Sequence, residues 1–226
     1  MIRTSFNRHW YVTAESSSRG GRVGPVTLPY DAMLFEERDP NTKNGGNTGF
    51  FPGGVYRYTK AFGAPEEWRG RSVVVEFEGV YHRSKVFVNG RLANERPSGY
   101  ALFHVAIDDY LEYGTQNTIE VVADNSDEPN SRWYTGSGIY RPVSLLIGEP
   151  VHIAPTGLRV STDGVSNGTA TVNVDTEIVN DGTASQVLTV RVSLTSPSGA
   201  DVEPVTGDVL VPAGGHARIR EHITVP

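Results

Sequence analysis

The chain has 226 residues, enough for one large domain or two ordinary ones, and 38% of them are hydrophobic, enough for real cores. A formal net charge of −6 argues against a phosphate backbone as partner, so no nucleic acid is expected. No apolar run approaches the roughly 18 residues of a membrane span, no cysteine is present for disulfides or thiolate chemistry, and the opening Met1-Ile2-Arg3-Thr4-Ser5-Phe6-Asn7 lacks the apolar core of a secretory leader; no membrane and a cytoplasmic location are expected.

Taken in order, residues 1–50 read as irregular, with loops at Ser16–Gly21 and Asn41–Asn47 where small polar residues and glycine offer the backbone local alternatives. Tyr56–Phe62 alternates, placing Tyr56, Tyr58 and Phe62 on one face. Ala64–Gly70 is at most a helical turn, with Pro65 suited to its start. Arg71–Phe77 predicts a strand with Val73, Val75 and Phe77 inward. Lys85–Val88, then Asn89-Gly90, then Arg91-Leu92 predicts a hairpin, because Asn-Gly readily supplies the positive φ angles of a type I′ turn. Leu102–Ile107, Thr118–Ala123 and Val143–Ile147 are further strands, and no stretch of helical length shows a helical stripe. Residues 1–149 are therefore expected to form an all-β sandwich or jelly roll.

Gly148-Glu149-Pro150 marks a boundary, since no aromatic residue follows Tyr140 while valine and threonine dominate. Thr171–Val179, Val187–Thr195, Asp208–Val211 and Ala217–Val225 alternate, separated by turns at Asn180-Asp181-Gly182 and Ser196–Gly199. Residues 150–226 thus read as an immunoglobulin-like β-sandwich. Such a fold needs about seven strands and ~100 residues, so this one is expected to be incomplete.

The stretch Asn130–Arg141 concentrates Trp133, Tyr134 and Tyr140 with Arg132 and Arg141, around Gly136 and Gly138. Flat apolar faces and fixed donors are what a pocket uses to orient a small polar ligand. This stretch also carries a resemblance. Trp133, Gly138, Ile139, Arg141, Val143 and Leu145 fill a pattern similar to the end of the sugar-binding domain of family-2 glycoside hydrolases. Upstream, Leu28-Pro29-Tyr30-Asp31 resembles the family's Leu-Pro-His-Asp, with Tyr30 a departure. Gly53-Gly54-Val55-Tyr56-Arg57, Phe77-Glu78-Gly79-Val80 and Val86-Phe87-Val88-Asn89-Gly90 resemble further family motifs in the same order.

The resemblance implies a galactose-binding-like jelly roll followed by a truncated immunoglobulin-like sandwich. It further implies a parent enzyme that hydrolyses terminal β-glycosides with retention, is homo-oligomeric, and is most similar to β-galactosidase. In that chemistry two carboxyl groups face the glycosidic bond about 5–5.5 Å apart. In the family both are glutamates on a separate (β/α)₈ barrel, which takes about 250 residues. No such stretch exists here, so no catalytic residue and no cofactor are expected in this chain.

The expected substrate-binding residues are Ser131, Arg132, Trp133 and Phe51, acting on a β-glycoside together with the barrel. Arg132 offers a forked pair of donors to sugar hydroxyls or to a barrel carboxylate; the alternative is that Arg132 and Trp133 only cement the domain against the barrel. The family's carboxylate before the tryptophan is replaced by Ser131 and Arg132, unless Asp127 or Glu128 substitutes, and no metal site is expected. The six histidines lack ligand spacing. Asp31 reads as a turn cap, Asp124 and Asn125 as a strand end, and Arg141 as a structural group paired inside the sandwich. A stand-alone carbohydrate-binding module, a purely structural module, and a β-glucuronidase or β-mannosidase parent are the competing readings.

Overall fold

The computed structural model describes residues 1–15, 21–127, 134–166 and 168–225. The loop expected at residues 16–20 lies outside them. Strands dominate: β1 (Ile2–Ser5), β2 (Trp10–Ala14), β3 (Arg22–Val26), β4 (Gly54–Ala64), β5 (Ser72–Phe77), β6 (Ser84–Val88), β7 (Arg91–Arg96), β8 (Phe103–Ala106), β9 (Thr115–Asn125), β10 (Val143–Gly148), β11 (Val151–Ser166), β12 (Thr169–Asn180), β13 (Gln186–Thr195), β14 (Asp201–Val211) and β15 (Gly215–Val225). Among the described residues, helix is confined to short 3-10 turns at Ala32–Phe35, at Gly45–Thr48, at Glu66–Trp68 directly after Pro65, and at Asp108–Tyr110. The chain is all-β, and it divides into two compact units, Ile2–Ile147 and Gly148–Pro226 with Met1.

The first unit is a sandwich of a four-stranded sheet, order β1-β10-β5-β8, and a six-stranded sheet, order β3-β2-β4-β9-β6-β7. Strand alternation explains the core: Tyr56, Tyr58 and Phe62 from β4, Ile119, Val121 and Ala123 from β9, and Val73, Val75 and Phe77 from β5 join one buried cluster. Phe77 stacks on Phe103 with centroids 5.0 Å apart. Phe77 is fully enclosed, so Phe77→Ala is expected to lower unfolding stability by about 3–5 kcal/mol in urea titrations. A loss below about 1 kcal/mol would mean that this site is not central to the core. The hairpin forms as its sequence predicts, with Asn89 at φ 49° and Gly90 at φ 76°.

One expectation fails: residues 1–50 are not irregular throughout. β1 pairs antiparallel with β10, Ile2 opposite Ile147 and Ser5 opposite Ser144, although all four of its residues are exposed. β2 pairs with both β3 and β4. β3 contains Pro25 and lies at the sheet edge, where a residue without an N–H is tolerated.

The second unit sets a three-stranded sheet, β11-β12-β15, and a two-stranded sheet, β13-β14. Its buried apolar residues include Val174 and Ile178 on β12, Val211 on β14 and Ile223 on β15.

Candidate functional site

At one end of the first unit, residues 134–139 are tied to three neighbouring segments. Tyr81 and Gly138 exchange backbone hydrogen bonds, with Tyr81 N donating to the Gly138 carbonyl at 2.9 Å and Gly138 N returning at 2.7 Å. On another side Tyr30 N donates to the Ile139 carbonyl and Ala32 N to the Ser137 carbonyl. From β9, the buried Asn125 side chain donates to the Gly136 carbonyl and to Ser137 Oγ, both at 2.8 Å. Tyr58, fully buried, donates its hydroxyl to the Tyr30 carbonyl at 2.7 Å and also contacts the Ser137 carbonyl at 3.3 Å. Burial raises the Tyr58 phenol well above its ordinary range, so it stays a neutral donor.

The glycines are what let these segments meet. Gly138 has φ 99°, and a Cβ placed on it would stand 1.9 Å from Tyr58 Oη. Gly136 has φ 73°, and its Cβ would stand 2.6 Å from Asp31 Oδ2.

Asp31 gathers three donors. Its Oδ1 accepts from Met33 N at 3.1 Å, the expected turn cap, and also from Ser137 N at 2.8 Å. Its Oδ2 accepts from the Tyr134 hydroxyl at 2.5 Å. The Tyr134 phenol is pushed up by burial and by this bond to a carboxylate. Tyr56, beneath, is raised by burial and by the charges of Glu36 and Asp31. The result is a carboxylate-anchored aromatic rim. Tyr134 meets Phe51 edge-on with centroids 5.9 Å apart, and the Arg38 guanidinium lies over the Phe51 ring at 5.1 Å.

Ser131, Arg132 and Trp133, the residues singled out from the sequence, lie outside the described residues, as does Glu128. Phe51 is only 8% exposed, whereas Phe50 beside it is 43% exposed. Phe51 therefore backs the rim through Tyr134 and Arg38, and Phe50 is the ring that reaches solvent. Asp127 is described, and it is bonded to the Arg83 guanidinium, which also holds Asp124 Oδ1 at 3.2 Å. Arg141 is exposed, its guanidinium 5.7 Å from the Tyr140 centroid, so it is not paired inside the sandwich. The reason is local: β10 begins only at Val143. Among the described residues no group of three or more His, Cys, Asp or Glu side chains could hold a metal ion.

Neither Asp31 as a three-donor acceptor nor Arg83 as a clamp on Asp124 and Asp127 follows from sequence spacing. Asp31 does stand in a motif that resembles the family's, which is the one signal that could have marked it.

His82 adjoins this corner. Burial and then the neighbouring Arg83 charge lower its pKa, partly offset by Asp127 and Asp124. A depressed folded-state value means the unfolded chain binds the proton more readily, so stability falls as pH drops below the ordinary histidine value of about 6.5. Replacing His82 by Gln should flatten that part of the stability–pH curve in thermal melts. A curve of unchanged slope would assign the acid sensitivity elsewhere.

The sequence profile described as "Glycosyl hydrolases family 2, sugar binding domain" matches residues 35–149, half of the chain. The chain belongs to glycosyl hydrolase family 2. Among relatives, a β-galactosidase of Bacteroides ovatus (BoGH2A) is 32% identical over 99% of this chain and 27% of its own length. A putative β-glucuronidase of Formosa agariphila is 31% identical over 78% of this chain and 18% of its own length. A solved family-2 member from Bacteroides cellulosilyticus superposes with a TM-score of 0.87 at 24% identity, covering 100% of this chain and 31% of that one. A β-glycosidase from Bacteroides vulgatus does so at 0.80 and 29% identity, covering 97% and 29%. The chain thus spans between about a fifth and a third of the length of these four proteins. No helix among the described residues is long and apolar enough to cross a membrane.

Proposed function

We propose that this chain is the non-catalytic leading portion of a retaining family-2 glycosidase that hydrolyses terminal β-glycosides, with β-galactosides as the preferred class. The observation that carries the reading is the sugar-binding-domain match over residues 35–149 in a chain that amounts to only 27% of the B. ovatus β-galactosidase. Residues 1–149 act as the sugar-binding-like jelly roll and 150–226 as an immunoglobulin-like support. The rim of Tyr134, Phe51 and Arg38, pinned by Asp31, holds one stem of the segment carrying Ser131, Arg132 and Trp133. Arg83, by bonding Asp124 and Asp127, holds the other. That segment, with Phe51, helps shape a sugar pocket whose two catalytic glutamates lie on a barrel downstream. Holding both stems reduces the ordering that sugar binding would otherwise require. A cytoplasmic parent fits the cysteine-free composition, and a homo-oligomeric one is what the family resemblance implies. The β-glucuronidase reading is the second, favoured by the F. agariphila match.

The test compares this chain with its reading frame extended past Pro226, using 4-nitrophenyl β-galactoside, β-glucuronide and β-mannoside. The extended protein should cleave the galactoside fastest, and the 226-residue chain should cleave none of them. Hydrolysis by the short chain, or a natural stop codon directly after Pro226, would overturn the proposal.

A further inference from the structure

Residues 148–226 carry nine acidic side chains and only four cationic ones, Arg159, Arg191, Arg218 and Arg220. Three of those four line one cavity of about 240 Å³ on the three-stranded sheet, together with Asp175, Glu177 and Gly157 among others. Strand register brings them together. Asp175 and Glu177 lie on the face of β12 opposite the buried Val174 and Ile178. Arg159 of β11 pairs in register with Asp175, Arg220 of β15 flanks Asp175 on its other side, and Arg218 flanks Glu177. On the β11 side of Glu177 no side chain fits. There β11 shifts register between Ile153 and Leu158, and a Cβ on Gly157 would stand 2.6 Å from the Glu177 carbonyl oxygen. The gap left at Gly157 opens the row of charges into a cavity.

Pairing inside the cavity is incomplete. Arg220 donates through Nε and Nη2 to the two oxygens of Asp175, the second at 3.0 Å, and Arg218 Nη2 donates to Glu177 Oε2 at 2.9 Å. A guanidinium has five N–H donors, so these two arginines keep donors to spare. Arg159 makes no hydrogen bond or ion pair with a described residue. Its charge nonetheless adds to the Arg220 bond in holding the Asp175 carboxyl below the usual carboxylate range. Depth differs as well: the Asp175 and Glu177 side chains are each 29% exposed, against 75% for Arg218 and 61% for Arg220. The guanidiniums stand at the mouth, and the carboxylates below fix their direction. Stability does not account for such a grouping, because exposed ion pairs contribute little.

We infer that this cavity binds a sulfate or phosphate group, either free or esterified to a sugar. A carboxylate presents one edge, which a single guanidinium fork fills. A tetrahedral oxyanion presents oxygens in several directions, and so suits donors converging from β11 and β15, which flank β12 at roughly 4.8 Å on either side. Three guanidiniums against two carboxylates leave the excess positive charge that such a group needs. The room, about 240 Å³, is several times the ~30 Å³ that a water takes up, and it admits the anion with part of a sugar ring. The oxyanion site stands whether or not the parent hydrolyses glycosides; only its sugar-borne form rests on the function proposed above.

Calorimetric titration of the extended protein with sodium sulfate and with galactose 6-sulfate, at one low ionic strength, tests it. Saturable binding with a Kd of about 1 mM or tighter is expected. Arg159→Gln should weaken it at least tenfold while leaving the unfolding midpoint unchanged, since Arg159 is exposed and holds no described partner. Arg191→Gln, away from the cavity, should leave the affinity as it is. Galactose 6-sulfate binding more tightly than sulfate, with that affinity lost in Arg159→Gln, makes a sugar ester the ligand; binding no tighter makes the free anion the ligand. The inference is overturned if binding is not saturable, if Arg159→Gln leaves it unaltered, or if sodium chloride at matched ionic strength gives the same heats. Sulfate binding by an extended protein that cleaves no glycoside would sink the functional proposal and leave this site standing.

Discussion

Replacing Gly138 by alanine is expected to remove about 3–5 kcal/mol of stability from the first unit, through two effects that add. At φ 99° an L-residue is strained, at a cost of order 1–3 kcal/mol. The new methyl group also arrives 1.9 Å from Tyr58 Oη and 2.4 Å from Cζ of a ring that is fully buried. Overpacking of that kind costs typically 1–3 kcal/mol. The ring has no cheap escape, because moving it breaks the hydrogen bond to the Tyr30 carbonyl. Gly90→Ala is the control. Gly90 has a similar positive φ of 76°, but a Cβ there meets nothing within 4 Å, so only backbone strain of about 1 kcal/mol is expected. Equal losses in the two variants, measured by urea denaturation, would show that the Tyr58 contact does not matter.

Asp31→Ala is expected to destabilise the unit by about 3 kcal/mol, since hydrogen bonds to charged groups contribute about 1.5–3 kcal/mol each and stranded donors add their own cost. Its carboxylate serves two backbone N–H groups and the Tyr134 hydroxyl, joining segments 106 residues apart. Partial exposure keeps the figure at the low end of that sum, because water can replace some of the lost bonds. Asp31→Asn retains an acceptor and should lose less. Tyr134→Phe removes only the third donor and should lose about 1 kcal/mol. A double-mutant cycle between Asp31→Asn and Tyr134→Phe should give a coupling of at least about 0.5 kcal/mol. Strict additivity would mean that the 2.5 Å contact contributes nothing in solution.

The core was legible because its strands obey a period of two. Alternation alone places Val73, Val75 and Phe77, and likewise Tyr56, Tyr58 and Phe62, on the inner face, and all are buried. Strands without that pattern went unread. β1 is exposed at every position and is a strand only because β10 lies beside it. β11 is interrupted by register shifts between Ile153 and Leu158 and between Asp163 and Ser166, which scramble its alternation. The site divides in the same way. The need for glycine at 136 and 138 and the turn-capping role of Asp31 could be read from residue type. The further partners of Asp31, the hold of Arg83 on Asp124 and Asp127, and the enclosure of Phe51 all depend on segments brought together from far apart in the chain.

The central claim, that this chain supplies a wall of a neighbouring catalytic pocket, is tested most directly by kcat/KM of the extended enzyme carrying Arg132→Ala or Trp133→Ala, with its unfolding midpoint recorded alongside. The account predicts a loss of at least tenfold in kcat/KM at an unchanged midpoint, equivalent to about 1.4 kcal/mol of transition-state binding. Unaltered kcat/KM with a lowered midpoint would contradict it and leave these side chains only the task of holding domains together.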